Sequence, residues 1–499
     1  MSESVWVELE GVFLFPLRDR RTFLPPVMSQ RRSAMSVEGK SAGGDAGAES
    51  VPSPPFRGVG PAAVRRVLKE AIQKEHDRVE ALPFMAALEG GRLSRESYVG
   101  FLRALLAVRT SLESSLARSA DGRLELLRQR VPRRAVVIQE DLEHLDPKGG
   151  LIAPVAAVRA QLLAQRIRLQ ATADPVSLVG VTYVMEGSMA GAALVAPQVA
   201  DSLEVSPEGG LAYLSGHTDG GGIDADRGGW AEFGAELDRV ELTPGELDRA
   251  ARAAHGVMAD MSRVFSALHP LIRTPFKDLA RELNPSAGSH VISSTEAELA
   301  AALRAGERSW AEFPYYATRY GDRGRAFTRS DSAWLVTLAY LDRASGVENV
   351  MWLSNLLAAR GMPRWLMERH LEVLLEELGS MDPEAAEDPY GNLHEALSTL
   401  RELREHRLPD EHLFRMKREF AAAVPATELE GVPGAGALLA AAVSDEVAGL
   451  TMAVPSLVRW LADETLFSRD WIAQVERTLE RSRSLMAVSP ISDIPRSEG

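Results

Sequence analysis

The sequence predicts an all-α protein, and three observations support this prediction. Apolar residues recur at three- and four-residue spacing, as Val64, Leu68 and Ile72 do, which is the period of one helix face. Glycine and proline separate such segments, as in residues 146–150. Runs of alternating β-branched residues, which are typical of strands, are nearly absent. We therefore expect helices throughout the ordered chain.

The order of these patterns predicts a tail and two helical domains. Residues 1–57 are rich in Ser, Gly, Ala, Pro and arginine, a composition that buries too little apolar surface to order a chain, so we predict a disordered tail. Residues 58–284 form the first domain, in which Ser94 stands where a helix would begin. Turn-forming residues cluster near 284–292, and residues 292–485 form the second domain. Helical patterns cover residues 61–80, 98–117, 155–169, 176–199, 244–268, 365–378 and 395–407.

Composition excludes several classes of protein. The 56 Lys and Arg against 70 Asp and Glu give a net charge of −14, which argues against nucleic acid as a partner. Without cysteine the chain forms no disulfide and offers no thiolate ligand or nucleophile. The most apolar stretch, residues 435–454, is interrupted by Asp445 and Glu446, so we expect no membrane span and a cytoplasmic protein.

His76 is the first candidate site residue. On a helix it lies four residues after Ile72, three before Val79 and four before Glu80, so that its imidazole shares a face with these side chains. A buried neutral imidazole binds iron through one nitrogen while an acceptor, here Glu80, fixes its tautomer. On these residues alone, an ordinary helix histidine is the more common outcome.

Several ordered segments together resemble the haem oxygenase family, over about residues 60–272. The similar segments are residues 68–116 (the opening two helices), residues 139–145 (QEDLEHL, the acidic third helix), residues 183–192 (YVMEGSMAGA, the distal helix), and residues 209–214 with 230–233. The distal segment is most similar to the bacterial branch associated with phytochromes. The resemblance implies a haem-oxygenase-like multi-helical domain, with His76 as the proximal haem ligand. It also implies that Lys69 pairs with a haem propionate, for which a solvated lysine is the alternative.

Two glycines mark the distal segment. Gly187 and Gly191 are four residues apart and share a helix face, and glycine lets a helix approach a flat ring closely. On their own, tight packing of two helices explains them better. With His76 upstream, the two glycines are interpreted as one wall of a haem slot, and the resemblance makes Gly187, Ser188 and Gly191 the candidate catalytic residues. Ser188 stands where many relatives carry an acidic residue, and its hydroxyl can anchor water without the charge.

The segment also departs from the family pattern in two places. Ala192 stands where the family commonly has another glycine. Residues 230–236 contain no base, although relatives place propionate-binding bases there, and Arg227 or Arg239 is the nearby substitute. These departures leave haem binding better supported than turnover.

Two functions follow from the resemblance. The first is an enzyme that opens haem to biliverdin with release of iron and CO, using O₂ and external electrons from a reductase or ferredoxin, with haem as both substrate and cofactor. Its product would serve a bilin-binding photoreceptor, or the reaction would serve iron recovery. The second is a non-catalytic haem- or tetrapyrrole-binding protein whose C-terminal helical domain docks or senses a partner. We favour the enzyme.

Three other patterns are weaker evidence for function. Glu140 and His144 are spaced as half of a dinuclear metal site, which needs further inward ligands from other helices. Residues 434–436 lack the strand and third glycine of a nucleotide-binding loop. The second domain has aromatic residues interleaved with arginines, for which we favour packing within the domain over an anion or partner site. They are Trp310, Tyr315, Tyr316, Arg319, Tyr320, Arg323, Arg325, Phe327 and Arg329.

Overall fold

The computed structural model describes residues 62–131, 133–147, 152–216, 230, 233–381 and 388–488. These residues form helices and turns and contain no strand, so the predicted all-α fold is confirmed. The predicted tail, residues 1–57, lies outside the described residues. No helix in the described ranges is long and apolar enough to cross a membrane.

The helices of the first half begin close to the predicted starts. Ser94 accepts a hydrogen bond from the backbone N–H of Ser97 at 3.1 Å, which caps the following helix. Thr243 and Glu246 form a capping box before the last long helix of this half. In chain order the helices are α1 Ala62–Glu80, α2 Pro83–Glu89, α3 Arg95–Arg118, α4 Glu125–Arg130, α5 Arg134–Leu145, α6 Pro154–Ala173, α7 Ser177–Gly187, α8 Met189–Leu203, α9 Ala212–Ser215, α10 Pro244–Ser266 and α11 Ala280–Leu283.

Helix α10 organises the first half. Both α1 and α7 pack against it, while α3 packs against α6. A Cβ at Gly180 would clash with the carbonyl oxygen of Ala250, so this glycine allows α7 to lie close to α10. Helix α10 therefore sets the spacing between the helix that carries His76 and the helix that ends at Gly187.

The second half continues with helices after a helix-free segment, residues 284–295. One apolar core runs from Val64 in α1 to Leu400, so it joins both halves. A second core extends from Phe313 to Met486. The helices are α12 Glu296–Glu312, α13 Pro314–Thr337, α14 Arg343–Ala358, α15 Arg364–Gly379, α16 Gly391–Glu405, α17 Asp410–Ala423, α18 Ala426–Leu429, α19 Ala435–Val447, α20 Ala453–Leu461 and α21 Arg469–Val488.

The apolar stretch that the sequence places at residues 435–454 begins as α19, which lies in the second core. Asp445 interrupts its apolar character and is nevertheless buried. Its carboxylate accepts hydrogen bonds from the backbone N–H and the Nε of Arg364, at 2.8 and 2.7 Å. Because Arg364 begins α15, Asp445 caps that helix from a distant part of the chain.

Arg319, Tyr320 and Arg325 pack within the second half, as we expected, whereas Arg329 donates to Gln165 of α6 in the first half. The guanidinium of Arg319 lies 5.1 Å from the ring centre of Tyr320 and 5.7 Å from that of Trp460. It donates to the carbonyl oxygen of Ser456 at 2.8 Å. Arg325 lies over the ring of Trp310 at 4.4 Å. These contacts hold α13 against α20 and give no reason to propose an anion site.

Ion pairs join the two halves. Arg168 of α6 pairs with Glu307 of α12. Arg103 of α3 lies 2.5 Å from Asp146 and 4.0 Å from Glu296, the first residue of α12. Burial raises the pKa of Glu296 to about 7, although Arg103 opposes the rise and Asp146 adds to it. The junction therefore contains a carboxyl group that titrates near neutral pH.

This carboxyl group makes stability depend on pH. Its pKa is higher in the folded than in the unfolded chain, so the folded state holds the extra proton and the free energy of unfolding falls as pH rises from about 4.5 to 7. Glu296→Gln should remove up to about 3 kcal/mol of this pH dependence. Urea unfolding at pH 5 and pH 8 measures it, with the exposed acid variant Glu411→Gln as control. An unchanged pH dependence in Glu296→Gln would contradict the assignment.

Candidate functional site

Helix α1 positions His76 at the edge of its buried face. Leu68, Ile72 and Val79 are buried in the core, and Glu75 continues the same stripe at 5% exposure. The His76 side chain is 46% exposed. The imidazole predicted to be buried is therefore half exposed, because the buried stripe turns through residue 75 and leaves residue 76 beside it.

Carboxylates stand next to the imidazole. Nδ1 of His76 lies 3.5 Å from Oε1 of Glu80, so Glu80 is placed as the sequence predicts, slightly beyond hydrogen-bond distance. Asp77 brings a third donor atom, and the three atoms lie within 4.8 Å of one another on the exposed surface. The arrangement leaves Nε2 directed away from Glu80 and accessible as a metal ligand.

Lys69 lies two turns before His76 on the same side of α1. Its side chain is exposed, and no ion pair is found for it within the described part of the chain. Lys69 and His76 thus lie on one side of α1, beside its buried face.

The helix of the distal segment is interrupted at Ser188, whose backbone angles remain helical. Helix α7 ends at Gly187 and α8 begins at Met189. The exposed Ser188 donates its hydroxyl to the carbonyl oxygen of Met185 at 2.8 Å. Gly191 lies in α8, and its surroundings are outside the described residues. The distal segment is therefore two helices joined at the predicted hydroxyl residue.

Trp230 covers Gly187. A Cβ at Gly187 would lie 3.3 Å from the indole Cη2. The side of α7 that this glycine leaves without a side chain is therefore covered by the indole. The same ring lies 5.7 Å from the ring of Tyr183 and 5.6 Å from that of Phe233. A flat ligand can therefore rest on Gly187 only after the indole moves. Ala192, the other departure, is 9% exposed.

A buried ion pair lies at the end of α7. Arg109 of α3 is fully buried and donates to Glu186 and to the carbonyl oxygen of Met185, the latter at 2.6 Å. It also donates to the hydroxyl of Tyr213 at 3.5 Å. Burial lowers the pKa of Arg109. Tyr213 and Glu186 raise this pKa by more than burial lowers it, so the guanidinium stays charged. One side chain thus joins α3, α7 and α9.

Arg134 completes this pair from α5. Its Nε lies 3.5 Å from Oε2 of Glu186, and both side chains are buried. The carboxylate that precedes Gly187 is therefore held between two arginines. This group was not predicted from the sequence, although an arginine directly after Val108 in the apolar pattern of α3 is a signal for a buried partner.

Comparisons with known proteins now bear on this arrangement. Residues 62–267 match the family model described as heme oxygenase. The resemblance to haem oxygenases predicted for about residues 60–272 is therefore confirmed for this part of the chain. No curated protein matches the chain significantly.

Solved haem oxygenases are similar to part of the chain. The enzyme from Leptospira interrogans is 21% identical, with a TM-score of 0.37, over 41% of this chain and 98% of its own. Heme oxygenase-1 from Synechocystis sp. PCC6803, solved in complex with heme, is 17% identical with a TM-score of 0.36 and covers 42% of this chain and 92% of its own.

Residues 139–145 of α5, which resemble the acidic third helix of the family, stabilise the start of α9. Asp141 is buried and accepts hydrogen bonds from the backbone N–H groups of Ala212 and Tyr213, both at 2.9 Å. It thereby caps α9. Glu140 and His144 are exposed, and no third donor joins them into a metal cluster in the described ranges. The predicted alternative of a dinuclear site therefore has only two outward-facing groups here.

The two arginines suggested as substitute bases differ in position. Arg239 pairs with Glu236 and is 67% exposed, and Arg227 lies outside the described residues. A different cation, Arg65 of α1, contacts Gly234 and pairs with Asp238. Sequence analysis did not select Arg65 because its two contacts lie far along the chain.

Proposed function

We propose that the haem oxygenase domain binds haem through His76 and opens it to biliverdin, releasing iron and CO and consuming O₂ and external electrons. The observation that carries the proposal is the accessible imidazole of His76, with Glu80 beside it, in a segment that matches the family model. The proposal includes a reductase or ferredoxin as electron donor, a bilin-binding photoreceptor or iron recovery as the use of the product, and a cytoplasmic location.

His76 and the residues around it fit the iron of a porphyrin. A neutral imidazole nitrogen is a common iron ligand, and a carboxylate near the other nitrogen fixes the tautomer. Lys69, exposed on the same side, fits an anionic group of the ligand. The fit at Gly187 requires displacement of the Trp230 indole.

Each residue then has a defined task. Haem, when bound, supplies the iron that activates O₂ and the ring that is cleaved. His76 would ligate the iron, and Glu80 would orient the imidazole. Gly187 and Gly191 allow α7 and α8 a close approach to a flat ring. The Ser188 hydroxyl already donates to Met185, so its lone pairs remain to accept a hydrogen bond from an ordered water that delivers protons.

A second function, haem or tetrapyrrole binding without turnover, is favoured by a different observation. Trp230 covers Gly187, and the helical residues 233–237 carry no base. In that case the C-terminal helices would dock or sense a partner. Their apolar core is continuous with that of the haem oxygenase domain. Both functions share His76 and differ in whether the ring is opened.

Haem titration followed by reduction separates the two. Hemin is added to the purified full chain and the Soret band is recorded; an electron donor, ferredoxin with its reductase, is then supplied under air. Catalase is included to exclude chemical attack by peroxide. We expect the Soret band to decay while biliverdin absorbance and CO increase. A stable Soret band would support the binding function instead, and a chain that gives no Soret band would contradict both.

A further inference from the structure

We propose that the second half of the chain has a binding site of its own, for a small organic cation that carries an aromatic ring. The site is a cavity of about 460 Å³ among the end of α12 and helices α15, α16, α17 and α19. Cavities of this volume are typical of small-molecule sites. The lining residues lie between positions 312 and 438, outside the residues that match haem oxygenase, so the cavity is separate from the proposed haem site.

Aromatic side chains line part of the cavity. Trp365 of α15 and Phe313, which connects α12 to α13, are buried, and their rings meet edge to face with centres 5.4 Å apart. Phe414 of α17 lines the same cavity but is 44% exposed. Because covering an apolar surface is favourable, the exposed ring of Phe414 offers area that a ligand would bury. These rings therefore favour an apolar, ring-containing body for the ligand.

A buried carboxylate lines the same cavity. Glu368 of α15 is 2% exposed, less than the other acidic residues of the lining. Its two oxygens each accept a hydrogen bond from Arg404 at 2.8 Å, and Nε of Arg401 lies 3.6 Å from one of them. A carboxylate has about four lone-pair positions, so Glu368 keeps acceptor capacity for a ligand that donates hydrogen bonds.

The ion pairs around Glu368 contain more acids than bases. Arg404 also lies 2.8 Å from Asp410 and 3.5 Å from Glu405, so three carboxylates share its guanidinium. In the whole group, five carboxylates share three guanidinium groups, and the exposed Lys417 of the lining still leaves one net negative charge. The group consists of Glu312, Glu368, Glu372, Glu405 and Asp410 with Arg369, Arg401 and Arg404.

The charge and the rings together indicate the class of ligand. A negative charge that is partly removed from water is stabilised by a cation and destabilised by an anion. Aromatic rings pack against the apolar part of such a cation and attract its charge through their faces. An aromatic amine has both parts, so it fits the cavity better than an aromatic acid or an aliphatic amine does.

Gly434 provides a way to block the cavity. It lines the cavity just before α19, and no heavy atom lies within 4 Å of an ideal Cβ built on it. Its φ of −106° is outside the left-handed region, so other residues are tolerated there. Gly434→Leu therefore adds a side chain where there is open space and keeps every charged and aromatic group. Gly391→Leu is the matched control, because Gly391 also has open space at the start of a helix but lies outside the cavity.

The test uses three probes that separate charge from ring. Phenethylamine has the ring and a positive charge, 3-phenylpropionate has the ring and a negative charge, and butylamine has the positive charge alone. Each is titrated into the purified full chain by isothermal titration calorimetry. We expect phenethylamine to bind at least about tenfold more tightly than either of the other two.

Two variants then locate the binding. Gly434→Leu should abolish phenethylamine binding, and Phe414→Ala, which removes an exposed ring, should weaken it about tenfold. Gly391→Leu should bind phenethylamine as the wild type does, and circular dichroism checks that each variant is folded. No binding of phenethylamine up to about 10 mM, equal binding of 3-phenylpropionate, or wild-type affinity in both Gly434→Leu and Phe414→Ala would overturn the proposal.

Discussion

Replacing Arg109 with methionine should lower the free energy of unfolding by about 3–5 kcal/mol, the usual cost of removing one partner from a buried ion pair. Glu186 would remain buried with the Nε of Arg134 3.5 Å away. The carbonyl oxygen of Met185 would keep only the Ser188 hydroxyl of its two side-chain donors. Urea unfolding followed by helical circular dichroism measures the change.

Two variants make this result specific. Arg123→Met removes an arginine that is 36% exposed and pairs with Asp121 and Glu246, so we expect a loss below about 1 kcal/mol. Arg109→Met combined with Glu186→Met removes both charges of this pair but leaves the buried Arg134 without Glu186, so we expect it to recover only part of the stability. A loss in Arg109→Met as small as that in Arg123→Met would show that the pair does not stabilise this part of the fold.

His76→Ala should abolish the native haem ligation. The expected result is loss of the Soret maximum and of the electron paramagnetic resonance signal typical of a histidine-bound ferric iron, with hemin affinity reduced at least tenfold. No second histidine is paired with Glu80 in the described ranges, so the neighbouring residues offer no replacement imidazole. Addition of free imidazole should restore the ligation spectrum in the variant, since it supplies the missing nitrogen.

His144→Ala is the matched control. His144 is also an exposed helix histidine, and its Nδ1 lies 2.9 Å from the carbonyl oxygen of Glu140 in its own helix. We expect this variant to bind hemin with the wild-type spectrum. If His76→Ala retained the wild-type spectrum, or His144→Ala lost it, the iron ligand would lie elsewhere.

The helices were largely predictable, because their signals are local. The three- and four-residue spacing of α1 and the capping serine before α3 depend on residues within one or two turns. The predicted position of His76 on α1 is also local, and so is its approach to Glu80. The domain limits near 284–292 remain a prediction, and one apolar core crosses them.

The exposure of His76 was less predictable. Periodicity identifies a buried stripe but assigns residues at its edge poorly, because the direction of the neighbouring helix decides which of them is covered. Here Glu75 is covered and His76 is half exposed. The sequence places Ile72 and Val79 on the same helix face as His76, and the structure agrees. Both apolar residues are buried, however, whereas the imidazole is half exposed.

By itself, the sequence determined the helical fold, the helix starts and a set of motifs whose order identifies the first half. The tertiary structure decided which distant side chains meet: Trp230 on Gly187, Arg65 on Gly234, and Arg109 on Glu186. Helix periods and caps arise from neighbours along the chain, whereas these contacts depend on how whole helices pack across α10. A missing side chain at Gly234 therefore becomes informative only when the arginine that fills its space is seen.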